Sequence, residues 1–345
     1  MKPRIKSENQ HSEAPPDPVL LDHLLNRDGF IPVHDLAARL ARPLTAVNRD
    51  LETLVHAGCR IDRHPQQGVR LRSSGIATWS DYLEWRLARD ESGASARVRA
   101  VYAQTSSTQD LVRTAIEAEG AGSDGSIYIA DEQTAGRGRL GRRWQAPPGT
   151  AILFSRAYVA PQRDPSMTVD RLMLASVIGT ARGIDAACAG RAPELDVRWP
   201  NDLLAGRRKL AGILVEQFTA GHRRAAVIGI GVNVSLTEDR IPDTTPPLRD
   251  TLTSLAMHGL DVDRLAVLAA VILGVEKALR EPDTAQLAAE WRRRSALIGR
   301  RVALRHDGRI VRGQAVDIDP REGLVVRTDA GVVVHLPGES SSLVD

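Results

Sequence analysis

Residues 133–144 read Gln-Thr-Ala-Gly-Arg-Gly-Arg-Leu-Gly-Arg-Arg-Trp. Gly136, Gly138 and Gly141 permit close backbone approach and positive φ. Arg137, Arg139, Arg142 and Arg143 place four guanidinium groups within seven residues, a dense set of rigid, bidentate donors. Such a loop suits a polyanion, a nucleotide phosphate above all. Read locally, a solvated basic loop is the alternative. It is not a Walker A loop, because the Gly-Lys-Ser/Thr ending is absent. A second group is Arg198-Trp199-Pro200-Asn201-Asp202, after an expected strand over 195–197. Pro200 bars continued central pairing, so that strand should end there with its last residues facing a cleft. Trp199 alone also fits a core position, and Asp202 a turn or helix cap. Lys209 stands at the mouth of the next expected strand, over 208–216. Gly229-Ile230-Gly231-Val232-Asn233-Val234 spaces glycine along a strand, which marks either a bulge or a ligand lying against the backbone. Ser106-Ser107-Thr108 precedes an apolar helix over 111–116, where an N-cap is the local reading.

These groups need a scaffold. From 101 to about 295, strand-like runs at 127–130, 151–154, 213–215 and 227–229 alternate with helical stretches near 170–189 and 263–281, the pattern of a mixed α/β domain. After Ser295, short strands at 302–304, 311–316, 323–326 and 332–334 between Gly/Asp turns predict a small all-β barrel. Residues 1–18 are polar and proline-bearing and read as a disordered tail. Three short helices follow, with Leu20, Leu21, Leu24 and Leu25, then Leu36, Ala37 and Leu40, then Val47, Leu51, Leu54 and Val55 as their inward faces. Two short strands around a Pro-Gln-Gln-Gly turn complete the layout of a winged helix-turn-helix. Residues 73–100 read as a connector carrying a helix over 79–87. The fold class is therefore α+β and multidomain: tail 1–18, winged helix-turn-helix 19–75, central mixed-sheet α/β domain 76–294, C-terminal β barrel 295–345.

Between residues 39 and 72, seven arginines face three acidic residues. That local excess suits a phosphate backbone, with Arg42, Thr45, Asn48 and Arg49, at and just before the start of the third helix (44–56), as candidate DNA contacts. A small protein-binding helical domain with solvated charge fits the same pattern, and Asp50 and Glu52 would repel phosphate if they faced a groove. Elsewhere the charge is nearly balanced, at a formal +3, so any basic surface is local. Hydrophobic residues make up 42% and charged residues 26%, which allows a packed core and excludes wholesale disorder. Two cysteines, Cys59 and Cys188, exclude a disulfide framework and a cysteine-built zinc site. The longest apolar run, 265–275, has eleven residues, against the ~20 of a membrane helix. The expectation is a soluble, cytoplasmic protein with no membrane partner and no protein-held metal.

The set Ser107-Thr108, Gly136-Arg137-Gly138-Arg139-x-Gly-Arg-x-Trp144, Trp199-Pro200-Asn201-Asp202, Lys209-x-x-Gly212 and Gly-x-Gly-x-Asn233 resembles the biotin protein ligases. It is similar to the long bacterial form, which carries an N-terminal winged helix and represses biotin synthesis genes. The arginine-glycine-glycine-glycine motif of the lipoate ligases and octanoyltransferases is absent. The resemblance implies a class II synthetase-like central domain and an SH3-like barrel. It implies biotin and Mg2+-ATP as substrates, a biotinyl-5′-adenylate intermediate, and transfer to a lysine of the biotin carboxyl carrier protein of acetyl-CoA carboxylase. It also implies operator DNA as a partner and a homodimer when the adenylate is bound. By motif position, Ser107, Thr108, Gln109 and Gln133 would hold the ureido ring, assisted by the backbone at Gly138 and Arg139. Arg137, Arg139 and Arg198 would meet the carboxylate and phosphates. Trp144, Asn201, Lys209 and Asn233 would line the nucleotide side, with the loop 235–250 ordering over adenine. Two departures stand out. Arg198 occupies a position where the family usually has lysine; a guanidinium cannot act as a base, though it can bridge carboxylate and phosphate. The Gly338-Glu339-Ser340-Ser341-Ser342-Leu343 stretch lacks the arginine that the family often carries there. A ligase without DNA binding, and a biotin sensor with an inactive ligase domain, remain as alternatives.

Overall fold

A computed structural model describes residues 15–90, 95–160, 168–242 and 250–344. Most of the expected tail, and part of the loop 235–250, lie outside the described residues. The first helix, α1 (Pro18–Leu25), begins inside the stretch read as tail. Asp17 explains this: its carboxylate accepts from Val19 and Leu20 N–H groups, and Pro18 fills the first helical position. Helices α2 (Val33–Leu40) and α3 (Leu44–His56) follow, then an antiparallel hairpin of β1 (Arg60–His64) and β2 (Gly68–Ser73). Leu20, Leu21, Leu24, Leu36, Val47, Leu51 and Leu54 form the buried centre of this unit. Val55, expected inward, is exposed; it lies one residue, about 100°, around α3 from Leu54. Helix α4 (Trp79–Ala88) ties the unit to the rest of the chain. Tyr82 donates to Asp22 at 2.8 Å, and Trp79 donates to Ser74, which itself donates to Asp263.

The central unit holds a seven-stranded sheet among the described residues. Its strands are β3 (Arg97–Thr105), β4 (Ser126–Gln133), β5 (Ala151–Val159), β6 (Leu195–Arg198), β7 (Asp202–Ala205), β8 (Arg208–Ala220) and β9 (Arg223–Asn233), ordered β3-β4-β5-β9-β8-β7-β6. Only β3 and β4 run parallel, so the sheet is mixed. Strand alternation sends Ala226, Ile228, Ile230 and Val232 into the main core, where α6 (Val169–Ala187) and α7 (Arg264–Leu279) also bury their apolar residues. Those two helices approach until a Cβ on Gly183 would lie 2.4 Å from Val271 Cα. On the opposite face α5 (Thr108–Glu119) packs Val112 and Ile116 against Ala157, Ala225 and Val227. Further along that same face Gly229, Gly231 and Gly212 add no side chains of their own, with Gly212 and Gly231 paired across β8 and β9. Helix α8 (Thr284–Arg294) leads to a second, antiparallel sheet. It comprises β10 (Arg301–His306), β11 (Arg309–Asp319), β12 (Gly323–Thr328), β13 (Val333–Leu336) and β14 (Ser341–Leu343), in the order β13-β12-β11-β10-β14. Among the described residues no helix is long and apolar enough to cross a membrane.

Candidate active site

This glycine surface is the floor of the site. A Cβ on Gly231 would lie 2.7 Å from Trp144 Cε2, and one on Gly212 would lie 2.9 Å from both Trp144 and the end of Lys209. At Gly229 the same atom would meet Gln109 at 2.9 Å. The glycines therefore let Trp144, Gln109 and the end of Lys209 lie directly on the strands. Lys209 Nζ lies 5.3 Å from the Trp144 ring centroid, a cation–π distance.

At one side of this floor stands a neutral hydrogen-bonding group. Ser107 caps α5 by accepting from Gln109 N–H. Thr108 donates to Gln133 Oε1 from its backbone nitrogen at 2.7 Å and from its hydroxyl at 3.0 Å, and the same hydroxyl contacts Ser155 at 2.7 Å. Ser107, Thr108, Gln109 and Ser155 are all buried. Such a group, free of formal charge, suits a small neutral polar ring.

Beside it stand cations, and Arg137, Arg139, Arg198 and Lys209 are already partnered. The loop after β4 closes as a short hairpin: Arg137 bridges Arg143, and Gly138 donates its N–H to Arg142 O at 2.8 Å. That bond occupies the Gly138 amide, which sequence reasoning had offered to biotin. Arg137 pairs with Asp110 at 2.8 Å and Glu216 at 3.4 Å. Asp202 accepts an ion pair on each oxygen, from Arg198 and from Lys209, both at 2.7 Å. Arg139 departs from expectation. Its Nη2 donates to the carbonyls of Gly338, in the turn after β13, and of Ser341, in β14, at 2.5 and 2.6 Å, so in the free chain it is held by the C-terminal unit. Burial pulls its guanidinium below the usual value, with Asp202 opposing that shift and Arg142 adding to it. Burial also pushes Asp170, beside it, up to about 6, against a hydrogen bond from Gly338.

Asn201 and Asn233 serve the backbone here. Asn201 donates to Ile213 O at 2.7 Å while its own carbonyl accepts Ile213 N–H, which fixes the β6–β7 tip to β8. Asn233 is 2% exposed and donates to Thr253 O at 3.0 Å. In the N-terminal unit, Arg42 is drawn off the front of α3 by Asp17 and Asp50, at 2.5 and 2.6 Å. Asn48 donates to Leu44 O, and Thr45 and Arg49 are exposed. Sequence reasoning missed Asp110, Glu216, Ser155 and Asp170. Asp110 carried a signal, two residues after Thr108 in the first turn of a helix. The others come from distant strands or from α6.

The sequence model described as the Biotin/lipoate A/B protein ligase family matches residues 101–233, and the one described as the Biotin protein ligase C terminal domain matches residues 297–338. The biotin--[acetyl-CoA-carboxylase] ligase of Mycobacterium tuberculosis is 35% identical over 268 residues, covering 74% of this chain and 96% of that protein. The chain belongs to the biotin protein ligase family. The bifunctional ligase/repressor BirA of Bacillus spizizenii is 29% identical over 311 residues, covering 88% of this chain and 91% of that protein. A match of that extent reaches into the helices and hairpin that precede the ligase's central unit. Among solved structures, the biotin protein ligase from Aquifex aeolicus in complex with biotin and ATP superposes with a TM-score of 0.58 at 25% identity, covering 72% of this chain and 98% of that one.

Proposed function

We infer that this ligase joins biotin to ATP and passes it to a lysine of the biotin carboxyl carrier protein of acetyl-CoA carboxylase. In the first half-reaction a biotin carboxylate oxygen attacks the α-phosphorus of Mg2+-ATP, forming biotinyl-5′-adenylate as pyrophosphate leaves. In the second, the carrier's lysine amine attacks the acyl carbon; AMP leaves with the bonding electrons and the amine loses a proton. Neither step needs a protein nucleophile. The chain supplies position and charge neutralisation. The observation that carries this reading is the neutral Ser107–Thr108–Gln133 group beside a glycine floor that opens onto Arg137, Arg198 and Lys209.

Within this reading Ser107, Thr108, Gln109 and Gln133 hold the ureido ring. Arg137, Arg139 and Arg198 meet carboxylate and phosphate, and Trp144 and Lys209 cover the nucleotide. Asn201 and Asn233 support that side by fixing the strands beneath it, and Mg2+ arrives with the triphosphate. AMP release that depends on both biotin and the carrier domain tests the reaction; release without biotin, or none with both present, refutes it.

The three helices and hairpin read as a winged helix-turn-helix, and the C-terminal sheet as an SH3-like barrel. The first implies a biotin-responsive repressor that dimerises once the adenylate is bound and then engages two half-sites. One observation favours a ligase without DNA binding: Arg42, the basic residue at the entrance of α3, is neutralised by two aspartates. Gel shifts on DNA upstream of biotin synthesis genes, with and without biotin plus ATP, decide between them. A ligand-dependent shift supports the repressor, and no shift supports the ligase alone.

A further inference from the structure

Asp170 lies in the first turn of α6. Its Oδ1 accepts the Gly338 N–H at 2.9 Å. The carbonyls of Gly338 and Ser341 in turn accept from one terminal nitrogen of Arg139, at 2.5 and 2.6 Å. Gly338 is wedged where it sits: a Cβ there would meet Pro200 Cβ at 2.9 Å and Asp170 Oδ1 at 3.0 Å. Residues 338–341 thus form a strap, seated on the tip between β6 and β7 and on the start of α6. The strap grips the guanidinium of the glycine-arginine loop.

The stoichiometry of that grip matters. Two hydrogen bonds from Nη2 use both of its protons. Nε and Nη1 hold the guanidinium's other three donors, on the remaining edges of the same rigid fork. Arg139 also feels the carboxylate of Asp202, which Arg198 and Lys209 share, so the fork lies within the field of that cation cluster. The strap itself, Gly338-Glu339-Ser340-Ser341, brings no cation.

We propose that Asp170 is a positioning residue for the adenylate: it seats the strap through Gly338 N–H, and the strap's carbonyls fix one edge of Arg139 so that its free donors meet the anionic acyl phosphate. The C-terminal sheet then contributes to the nucleotide site through a side chain of the central unit. This rests on the ligase reading above and adds Asp170, Gly338 and Ser341 to its machinery.

The test is the release rate of preformed biotinyl-5′-adenylate from the full chain, in single turnover without carrier. Compared are the unsubstituted protein, Asp170→Ala, Asp170→Asn, Arg139→Gly and the double variant Asp170→Ala with Arg139→Gly. Losing one hydrogen bond to a charged acceptor should speed release about tenfold in Asp170→Ala. Asp170→Asn keeps the acceptor oxygen and should restore near-normal release. If Asp170 acts through Arg139, its loss adds nothing once Arg139 is gone. Gly338→Ala makes the same comparison from the other partner and serves where Asp170→Ala does not stay folded. Unchanged release in either folded single variant, or equal acceleration with and without Arg139, overturns the proposal. An unsubstituted protein that forms no adenylate from biotin and ATP brings down the ligase reading and this one together. Normal adenylate formation with unaltered release in the variants brings down the strap alone.

Discussion

Asp170 also makes a quantitative statement about stability. Burial pushes its carboxyl up to about 6, the Gly338 N–H pulling it down, Glu339 and Asp319 raising it and Arg139 lowering it. A free aspartate titrates at about 3.9. Because the folded value lies above the unfolded one, the folded state binds the proton more tightly. Stability from this group is therefore complete below pH 4 and is lost as pH rises through about 6. Two pKa units correspond to about 3 kcal/mol. The side chain is only part-buried, so solvent screening brings the expected figure nearer 1–2 kcal/mol, on the order of a weak buried charge. Asp170→Asn removes the charge and keeps the oxygen that accepts Gly338 N–H. Its free energy of urea unfolding should match the unsubstituted protein at pH 4, then exceed it by an amount that grows to about 1–2 kcal/mol at pH 7.5. Parallel curves across that range, or an asparagine variant that is the less stable at pH 7.5, would show that Asp170 is not held against its ionisation and would refute the reasoning.

Gly231→Ala puts a methyl where Trp144 Cε2 lies at 2.7 Å; displacing that ring should cut biotin-dependent pyrophosphate release at least about tenfold, with a far smaller change in melting temperature. Glu276→Ala strips the main counter-charge from Arg156, a pair whose residues are 1% and 4% exposed, and should cost about 3–5 kcal/mol in urea unfolding. Arg198→Lys keeps the cation on Asp202 and should leave biotin-dependent AMP release within about tenfold of the starting rate; a protein that turns over only as the lysine variant contradicts the role given to Arg198. Arg49 is exposed on α3; if that helix faces DNA, Arg49→Ala should lower the salt slope of binding by about 1, read from gel shifts at several salt concentrations.

What the sequence made legible was local. The glycine-arginine loop, the strand ending at Pro200, Lys209 at the mouth of β8 and the glycine-spaced β9 all announce themselves within a dozen residues. The two long helices against the sheet were visible from their apolar runs. Strand β3 was not, because Arg97, Arg99 and Gln104 give an edge strand too little apolar content to stand out. Helix α8 ends in three arginines, and β14 is three residues of Ser-Ser-Leu; neither carries a periodic signal of its own. Least legible were the partners of the cations. Asp110, Glu216, Asp202 and the strap carbonyls come from separate elements, and which arginine each one holds is decided by strand order and helix placement. Spacing identified the donors, and only the assembled sheet assigned their acceptors.

That assignment bears on how the site can work. A cleft with several bare guanidinium groups would be costly to desolvate and prone to bind any phosphate. In this chain Arg137 leans on Asp110 and Glu216, Arg198 and Lys209 share Asp202, and Arg139 rests on two carbonyls. Arg137, Arg139, Arg198 and Lys209 are therefore oriented before any ligand enters. An incoming carboxylate or phosphate gains only the difference between itself and the partner it displaces or joins. Weak anions gain little from that exchange. On the proposed function, a mixed anhydride that engaged several of these cations at once, with its ring beside Ser107, Thr108 and Gln133, would gain from each of them. Selectivity for the adenylate over its separate precursors follows from the number of exchanges made together, and it would be lost if the acidic partners were removed and the arginines left to bind whatever anion came first.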